Sequence, residues 1–429
     1  MHRVSIRPNI LFVVVDCLRA DKVSSSERAC RTPFLDQFRA SSTAFTQCIS
    51  TCTVTTPSTA ALITGEWPTF NGVRTHSGHK LNATTETVAQ RLRQLGYHTV
   101  ARVTGPLTTE VGLDRGFDDY QWRRRRDYVY GDWGQRLLDE LGSWRSVAPW
   151  FLFLHLFELH NPRQIAPSFD KPDFGRNYYE RAISSLDPWL GRIVEAAGKD
   201  AVVFVTADHG ERVFETTARE TWHELSRPLR KPIRRLIVRL SRNPVSGAFF
   251  EQGHGFHVYD ELVRVPLLCR GPMFPSGMTL SQQVRHVDIV PTILDIAGVE
   301  EQPQRLNGKS LLPLVTGASQ DDRPAYCESF RATAPNPQSL IVAIRTPKLK
   351  YCYRPFAPKP FEELYDLSSD PLERKNLAAE RPQDCVELRQ QLQALSLEFE
   401  AEPLFRGQRM SADEEKVLEK RLKDLGYIE

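Results

Sequence analysis

Short, uninterrupted apolar runs, each halted by an acid or a histidine, dictate what this chain can fold into. Residues 10–15 read Ile-Leu-Phe-Val-Val-Val and break directly into Asp16-Cys17-Leu18-Arg19-Ala20-Asp21. Residues 150–156 (WFLFLHL) lead to Glu158 and His160, and residues 201–205 (AVVFV) lead to Asp208 and His209. Residues 265–269 (VPLLC) form a fourth run. Unbroken apolarity marks a strand covered on both faces, as in a parallel sheet. Between the runs, residues 85–95, 179–197 and 288–297 carry apolar positions at helical spacing, and Gly96 and Gly298 close two of them. Strands alternating with helices predict an α/β protein with a mostly parallel central sheet flanked by helices. Such sheets gather their ligands beyond the C-terminal strand ends, where three of the four runs release Asp, Glu or His.

Within 429 residues the main unit is expected to span 1–339. From residue 340 the text changes to short strand-like pieces (340–345, 349–353, 363–367) followed by polar helices at 381–400 and 411–424. This reads as a small C-terminal α+β subdomain, 340–429. An insertion at about 213–250 contains residues 227–242 (RPLRKPIRRLIVRLSR), with seven Lys/Arg, no acid and interleaved Leu and Ile. It reads either as a solvated helix packed by its apolar stripe, or as a lid that draws in an anionic substrate and touches anionic membrane.

The overall balance, 56 Lys+Arg against 53 Asp+Glu, gives no global attraction to nucleic acid, and none is expected as a partner. The apolar run at the N-terminus is too short for a signal core or a membrane span, so the expected compartment is the cytoplasm. Eight cysteines occur without a C-x-x-C pair; Cys48 and Cys52 lack a second half-site for zinc.

Residues 55–65 (TTPSTAALITG) place Pro57 in the first turn of a helix and Gly65 at its end. Thr55 then stands at the helix mouth, where unpaired N–H groups favour an anion. Taken alone, that is also what an ordinary capping threonine looks like. Asp16, Asp208, His209 and the Thr55 hydroxyl together supply the donors of a divalent cation site with an open position for substrate.

These residues lie in motifs that, in order, resemble the sulfatase branch of the alkaline phosphatase superfamily. The matching pieces are RPNILFVVVDCLRAD at 7–21, TTPSTAALITG at 55–65, TVAQRLRQLGYHT at 87–99 and GLDRGFD at 112–118. VTADHGE at 205–211, GHGFHVYDELVRVPL at 253–267, HVDIVPTILDIAGV at 286–299 and ELYDLSSDPLERKNL at 363–377 complete the series. The resemblance implies that Asp16, Asp208 and His209 hold metal, that Thr55 occupies the nucleophile position, and that His160 and His254 contact the transferred group or its leaving oxygen. Arg19 is a candidate for a substrate oxygen, at least as well suited to an ion pair; Lys348 and Lys350 are weaker candidates.

The sequence departs from that family at the nucleophile. Sulfatases of this branch carry Cys or Ser in a C/S-x-P-x-R signature and oxidise it to formylglycine. Here the positions hold Thr55 and Thr59, and threonine cannot become formylglycine. A threonine nucleophile is what the resembled phosphodiesterases, phosphatases and phosphotransferases use, so a phosphate mono- or diester is the expected substrate, a small molecule or a lipid headgroup. The alternatives are a sulfuric ester hydrolase, a phosphoethanolamine-type transferase (which usually brings membrane helices that this sequence lacks) and a degenerate binding protein. Cys17 replaces a second aspartate of many sulfatases, which tilts the expected metal toward Zn²⁺ or Mn²⁺ rather than Ca²⁺ or Mg²⁺. One or two ions are compatible with the sequence; a second would draw on Glu158, His160 or His254.

Overall fold

The structure, a computed structural model, describes residues 7–144, 149–218, 221, 253–299, 305–330, 337–395 and 407–424. The basic stretch 227–242, with its lid and membrane readings, lies outside the described residues.

The strands in chain order are β1 (Ile10–Val15), β2 (Thr43–Ile49), β3 (His79–Lys80), β4 (His98–Val103), β5 (Asp119–Trp122), β6 (Trp150–Leu156) and β7 (Val202–Thr206). They continue as β8 (Arg264–Arg270), β9 (Thr279–Arg285), β10 (Ala325–Ser329), β11 (Ile341–Arg345), β12 (Leu349–Tyr353), β13 (Glu362–Asp366) and β14 (Gln408–Arg409). Eight of them form the central sheet in the order β5-β4-β6-β1-β7-β8-β2-β9. β1 lies between β6 and β7, parallel to both, with Ile10 opposite Phe151 and Val202. All six of its residues are buried, as an apolar run without alternation requires. Phe12 meets Phe153 and Phe204 edge-on at 5.5 and 6.0 Å, contacts worth about 0.5–1.5 kcal/mol each beyond burial.

The sheet is mostly parallel, with one exception. β8 runs antiparallel to both β7 and β2. Because β2 is reversed again relative to β8, it points the same way as β1, β6 and β7. One sheet edge therefore collects the C-terminal ends of β1, β2, β6 and β7 together with the beginning of β8.

The smaller sheet has the order β10-β11-β12-β13, wholly antiparallel, and packs with the helix Pro382–Leu395. Its first strand, Ala325–Ser329, precedes the expected boundary at residue 340. β3 and β14 pair, tying Gln408 and Arg409 to His79 and Lys80. All eight cysteines are unpaired and buried. Among the described residues no helix is long and apolar enough to cross a membrane.

The helix Thr55–Thr64 is buried along its whole length and ends at Gly65, whose φ of 70° is left-handed and costs glycine little. Glu66 follows it into the interior. Burial pushes its carboxyl up to about 7 from 4.5, only partly offset by the Thr85 hydroxyl donating at 3.0 Å. Between those two values the native state holds a proton that the unfolded chain has lost, so stability falls as pH rises through this window. Glu66→Gln is expected to remove the slope, raising stability at pH 8 on the order of 1–3 kcal/mol while changing little at pH 4.5. Urea unfolding of both proteins at the two pH values measures it; parallel pH profiles would refute the assignment.

Candidate active site

The shared sheet edge carries the sequence-predicted cluster. Asp16 leaves β1 with its N–H donating to Leu156 O at 2.8 Å, and its side chain is fully buried. Asp208 and His209 leave β7, both fully buried. The metal-ligating atoms of Asp16, Asp208 and His209 lie within 4.8 Å of one another. Thr55 enters from β2: its Oγ1 donates to Asp16 Oδ2 at 3.3 Å and lies 3.2 Å from His209 Nε2.

Each group is held by its backbone. Asp208 Oδ1 accepts the N–H of Cys17 at 3.1 Å and of His209 at 2.8 Å. His209 Nδ1 is 2.8 Å from Gly210 O; donating there leaves Nε2 to face Thr55. Ser58 Oγ, one turn along the Thr55 helix, donates to Asp208 O at 2.6 Å and joins that helix to the β7 loop. Gly210 permits the loop to fold this closely, since a Cβ there would lie 2.0 Å from Glu261 O. Cys17 adopts a φ of 64°. Its carbonyl is held by the Tyr179 hydroxyl at 2.6 Å.

The electrostatics suit a divalent cation. Burial, then the neighbouring Asp208, pushes the Asp16 carboxyl well above its usual range. Burial also opposes ionisation of Asp208, but His209 and His155 beside it bring its carboxyl well below the usual range. Asp208 Oδ2 is buried without a hydrogen-bond donor, 3.3 Å from His209 Nε2. Two buried carboxylates and an imidazole with unsatisfied lone pairs are a costly arrangement that a cation relieves. The residues present therefore fit a divalent metal.

The histidines at the rim come from two loops. His254, between Gly253 and Gly255, has Nδ1 3.0 Å from Glu211 Oε2 and 3.7 Å from Cys17 Sγ. Its ring lies 4.3 Å from that of His209 and 5.3 Å from that of His160. His160 stacks on Phe157 at 4.3 Å, and burial, then His254, holds its imidazole well below the usual pKa.

Other candidates are placed elsewhere. Arg19 donates to Asp21 at 2.8 Å, to Glu261 at 3.1 Å and to Glu211 O at 3.2 Å, so its guanidinium is committed to ion pairs. Lys348 is exposed on the β11–β12 turn, beside a surface cavity lined also by Asp322, Asp384 and Glu387. Lys350 is buried on Asp260, Glu373 and Val258 O. Glu158, an expected source for a second ion, is taken by Arg123 at 2.8 Å and the Val129 N–H at 3.0 Å.

Three participants escaped sequence reasoning. His155, inside β6, brings Nε2 to 3.8 Å from Asp16 Oδ2 and 3.9 Å from Asp208 Oδ2, and neither ring nitrogen has a hydrogen-bond partner. A lone imidazole within a wholly apolar strand was the available signal. Glu211, at the end of the VTADHGE motif, anchors His254. His76 sits 2.6 Å from the Thr56 hydroxyl, behind the nucleophile position.

A mixed sheet thus brings buried acids, imidazoles and a helix-borne hydroxyl together at one edge. The family model described as Sulfatase matches residues 8–299, and that of N-sulphoglucosamine sulphohydrolase, C-terminal, matches 250–398. The chain belongs to the sulfatase family. It is 28% identical over 232 residues to arylsulfatase K of Mus musculus, covering 51% of this chain and 35% of that protein. It is likewise 28% identical over 314 residues to the choline-sulfatase of Rhizobium meliloti (strain 1021), covering 70% and 51%. The matches thus span between a third and a half of these relatives. Among solved structures, a phosphonate monoester hydrolase of Agrobacterium radiobacter superposes with a TM-score of 0.71 at 20% identity, covering 91% of this chain and 96% of that one. A structure holding D-glucosamine-2-N,6-O-disulfate as its substrate gives 0.70 at 19%, covering 91% and 98%. At these identities the likeness is one of fold.

Proposed function

We propose that this protein hydrolyses phosphoric esters, mono- or diesters of a small molecule or lipid headgroup, through a covalent intermediate on Thr55. The observation that carries the reading is the position of Thr55 Oγ1, between Asp16 Oδ2 and His209 Nε2 at the first turn of a buried helix. Asp16, Asp208, His209 and Thr55 would hold a divalent ion, with Zn²⁺ or Mn²⁺ suiting the imidazole. When bound, such an ion stabilises an alkoxide at Thr55 and the negative charge of the transferred group.

The Thr55 hydroxyl gives up its proton to solvent water, and Oγ1 attacks phosphorus in line with the leaving oxygen. The bond from phosphorus to the leaving oxygen breaks, and the departing alcohol draws a proton from the rim histidines. His254 is the better placed, because Glu211 holds its Nδ1 and raises its pKa against the effect of burial. Water then attacks phosphorus on the opposite side, giving a proton back to the imidazole that supplied one to the alcohol; the bond to Oγ1 breaks, and Thr55 regains a proton from solvent. Helix N–H groups at the Thr55 turn favour the equatorial charge.

Threonine supports phosphoryl over sulfuryl transfer, since a threonine sulfate has no route to expel sulfate by breaking its own C–O bond. The names of the curated relatives favour the second reading, a sulfuric ester. Turnover of aryl phosphate diesters, phosphonates and sulfates by metal-loaded protein, with mass analysis of the quenched peptide holding Thr55, separates them. Preference for phosphorus esters and a phosphate adduct on Thr55 are expected. Faster sulfate turnover without an adduct would sink the proposal, and inertness toward every ester would favour a binding protein.

A further inference from the structure

Side chains of the small C-terminal sheet converge on the loop that carries His254. That histidine stands between Gly253 and Gly255, which bring no side-chain packing of their own, so residues beyond them must set its place. Upstream, Gly253 pairs with Arg212. Downstream, the first anchor is His257, fully buried, its ring stacked on Tyr259 at 3.6 Å and its Nε2 2.8 Å from Glu363 Oε2 on β13. Burial lowers the pKa of this imidazole against the pull of Glu363. The neutral ring carries one hydrogen, and it belongs on Nε2, where the acceptor is; Nδ1 is buried without a hydrogen-bond partner.

The next residues are held from the same side. Val258 O accepts from Lys350 Nζ of β12 at 3.0 Å. Asp260 pairs with Arg345 of β11 at 2.8 Å, and its N–H donates to Glu373 Oε2 at 2.5 Å. Glu373 makes that bond from a left-handed backbone, φ 54°, which costs a residue bearing a Cβ roughly 1–2 kcal/mol. Such strain persists only where the surroundings over-determine it. Residues 257, 258 and 260 are thus gripped by Glu363, Lys350, Arg345 and Glu373.

We propose that His257 is a positioning residue for proton transfer: held by Glu363, it anchors the loop three residues past His254 and so sets where His254 Nε2 stands relative to the departing oxygen. The inference rests on the reading of His254 as the donor to that oxygen. The step served is the one already written, in which the phosphorus–oxygen bond breaks and the hydrogen on His254 Nε2 passes to the leaving alcohol. Three residues span at most about 10 Å, so a fixed His257 confines His254. A displacement of about 1 Å at a catalytic group can cost on the order of 10²-fold in rate.

Leaving-group dependence is the readout. A p-nitrophenolate departs without a proton and an alkoxide does not, so a misplaced donor weighs on alkyl esters. His257→Phe keeps the ring and its stack but not the N–H. In metal-loaded full-length protein it is expected to lower kcat/KM for an alkyl phosphate ester about 10- to 100-fold, part of what a general acid supplies, and that for the matched p-nitrophenyl ester less than about threefold. His257→Gln, whose amide can still donate to Glu363, should restore most of the loss. His254→Ala should show the full dependence, and adding His257→Phe to it should cost nothing more. If His257→Phe fails to fold, Glu363→Gln weakens the same bond and should give the same signature at smaller size. Equal losses on both esters, or a further loss in the double variant, would overturn the positioning role and leave His254 as the donor. No leaving-group dependence in His254→Ala would overturn that reading of His254, and the positioning role with it.

Discussion

Thr55→Ala is expected to lower kcat for the preferred ester by at least about three orders of magnitude, equivalent to about 4 kcal/mol of transition-state stabilisation. Removing a nucleophile leaves only the electrostatic environment to act on bound water, and that residue of activity is small in enzymes of this logic. The fold should tolerate the change. The helix around Thr55 is wholly buried, so losing one methyl and one hydroxyl should cost on the order of 1 kcal/mol, and metal content should be retained through Asp16, Asp208 and His209. Thr55→Ser preserves the oxygen and should stay within about tenfold of wild type. Steady-state rates beside metal analysis and thermal unfolding make the test complete; alanine retaining more than a few per cent of activity would remove Thr55 from its role.

The second large effect concerns stability. Lys350 is fully buried on β12, with Nζ 2.6 Å from Asp260 Oδ1, 2.8 Å from Glu373 Oε1 and 3.0 Å from Val258 O. Burial disfavours its charge, but Asp260, then Glu373, raise its pKa above the usual lysine value. Breaking a buried pair by removing one partner leaves the other uncompensated and costs about 3–5 kcal/mol. Lys350→Met keeps most of the side chain's apolar stem and deletes the ammonium, with its charge and its bond to Val258 O. Asp260 retains Arg345 at 2.8 Å, whereas Glu373 is left without its cation, so adding Glu373→Gln should recover part of the loss. Urea denaturation at pH 7 checks this; a loss below about 1 kcal/mol in the single variant would contradict it. Because Val258 follows the His254 loop closely, activity is expected to decline below the global unfolding temperature.

How much of this was legible in the sequence depends on whether the cause was local. The run of residues 10–15 followed by Asp16 announced a covered strand ending in an acid, because continuous apolarity and an abrupt acid are both read from neighbours in the chain. The Thr55 helix was equally plain, bracketed by Pro57 and Gly65. The direction of β8 was not. VPLLC looks the same whether its strand runs with or against its neighbours, and only pairing with β7 and β2 decides it.

Charged residues near the motifs stayed ambiguous for a related reason. A lysine or arginine near a motif suits substrate binding and ion pairing alike; Arg19 is held by Asp21, two residues on, and by the distant Glu261, and Lys350 by Asp260 and Glu373. His155 was hidden by its company: six apolar neighbours made it look like strand filler, yet the alternation of side chains along β6 turns it toward Asp16 and Asp208. The small sheet was read from residue 340 because its three later strands are contiguous, whereas β10 reaches it from upstream across residues 330–340.

The reversed β8 has a further meaning for how such proteins diversify. Its entry, not its exit, lies at the edge where β7 ends, so the two strands are joined on one side of the sheet without a crossover. Arg212 and Gly253 pair within that connection through reciprocal backbone bonds of 3.1 and 3.0 Å. Doubling the length of chain between two residues paired in this way adds only about 0.6 kcal/mol of closure entropy, so insertions there leave the sheet and its register untouched.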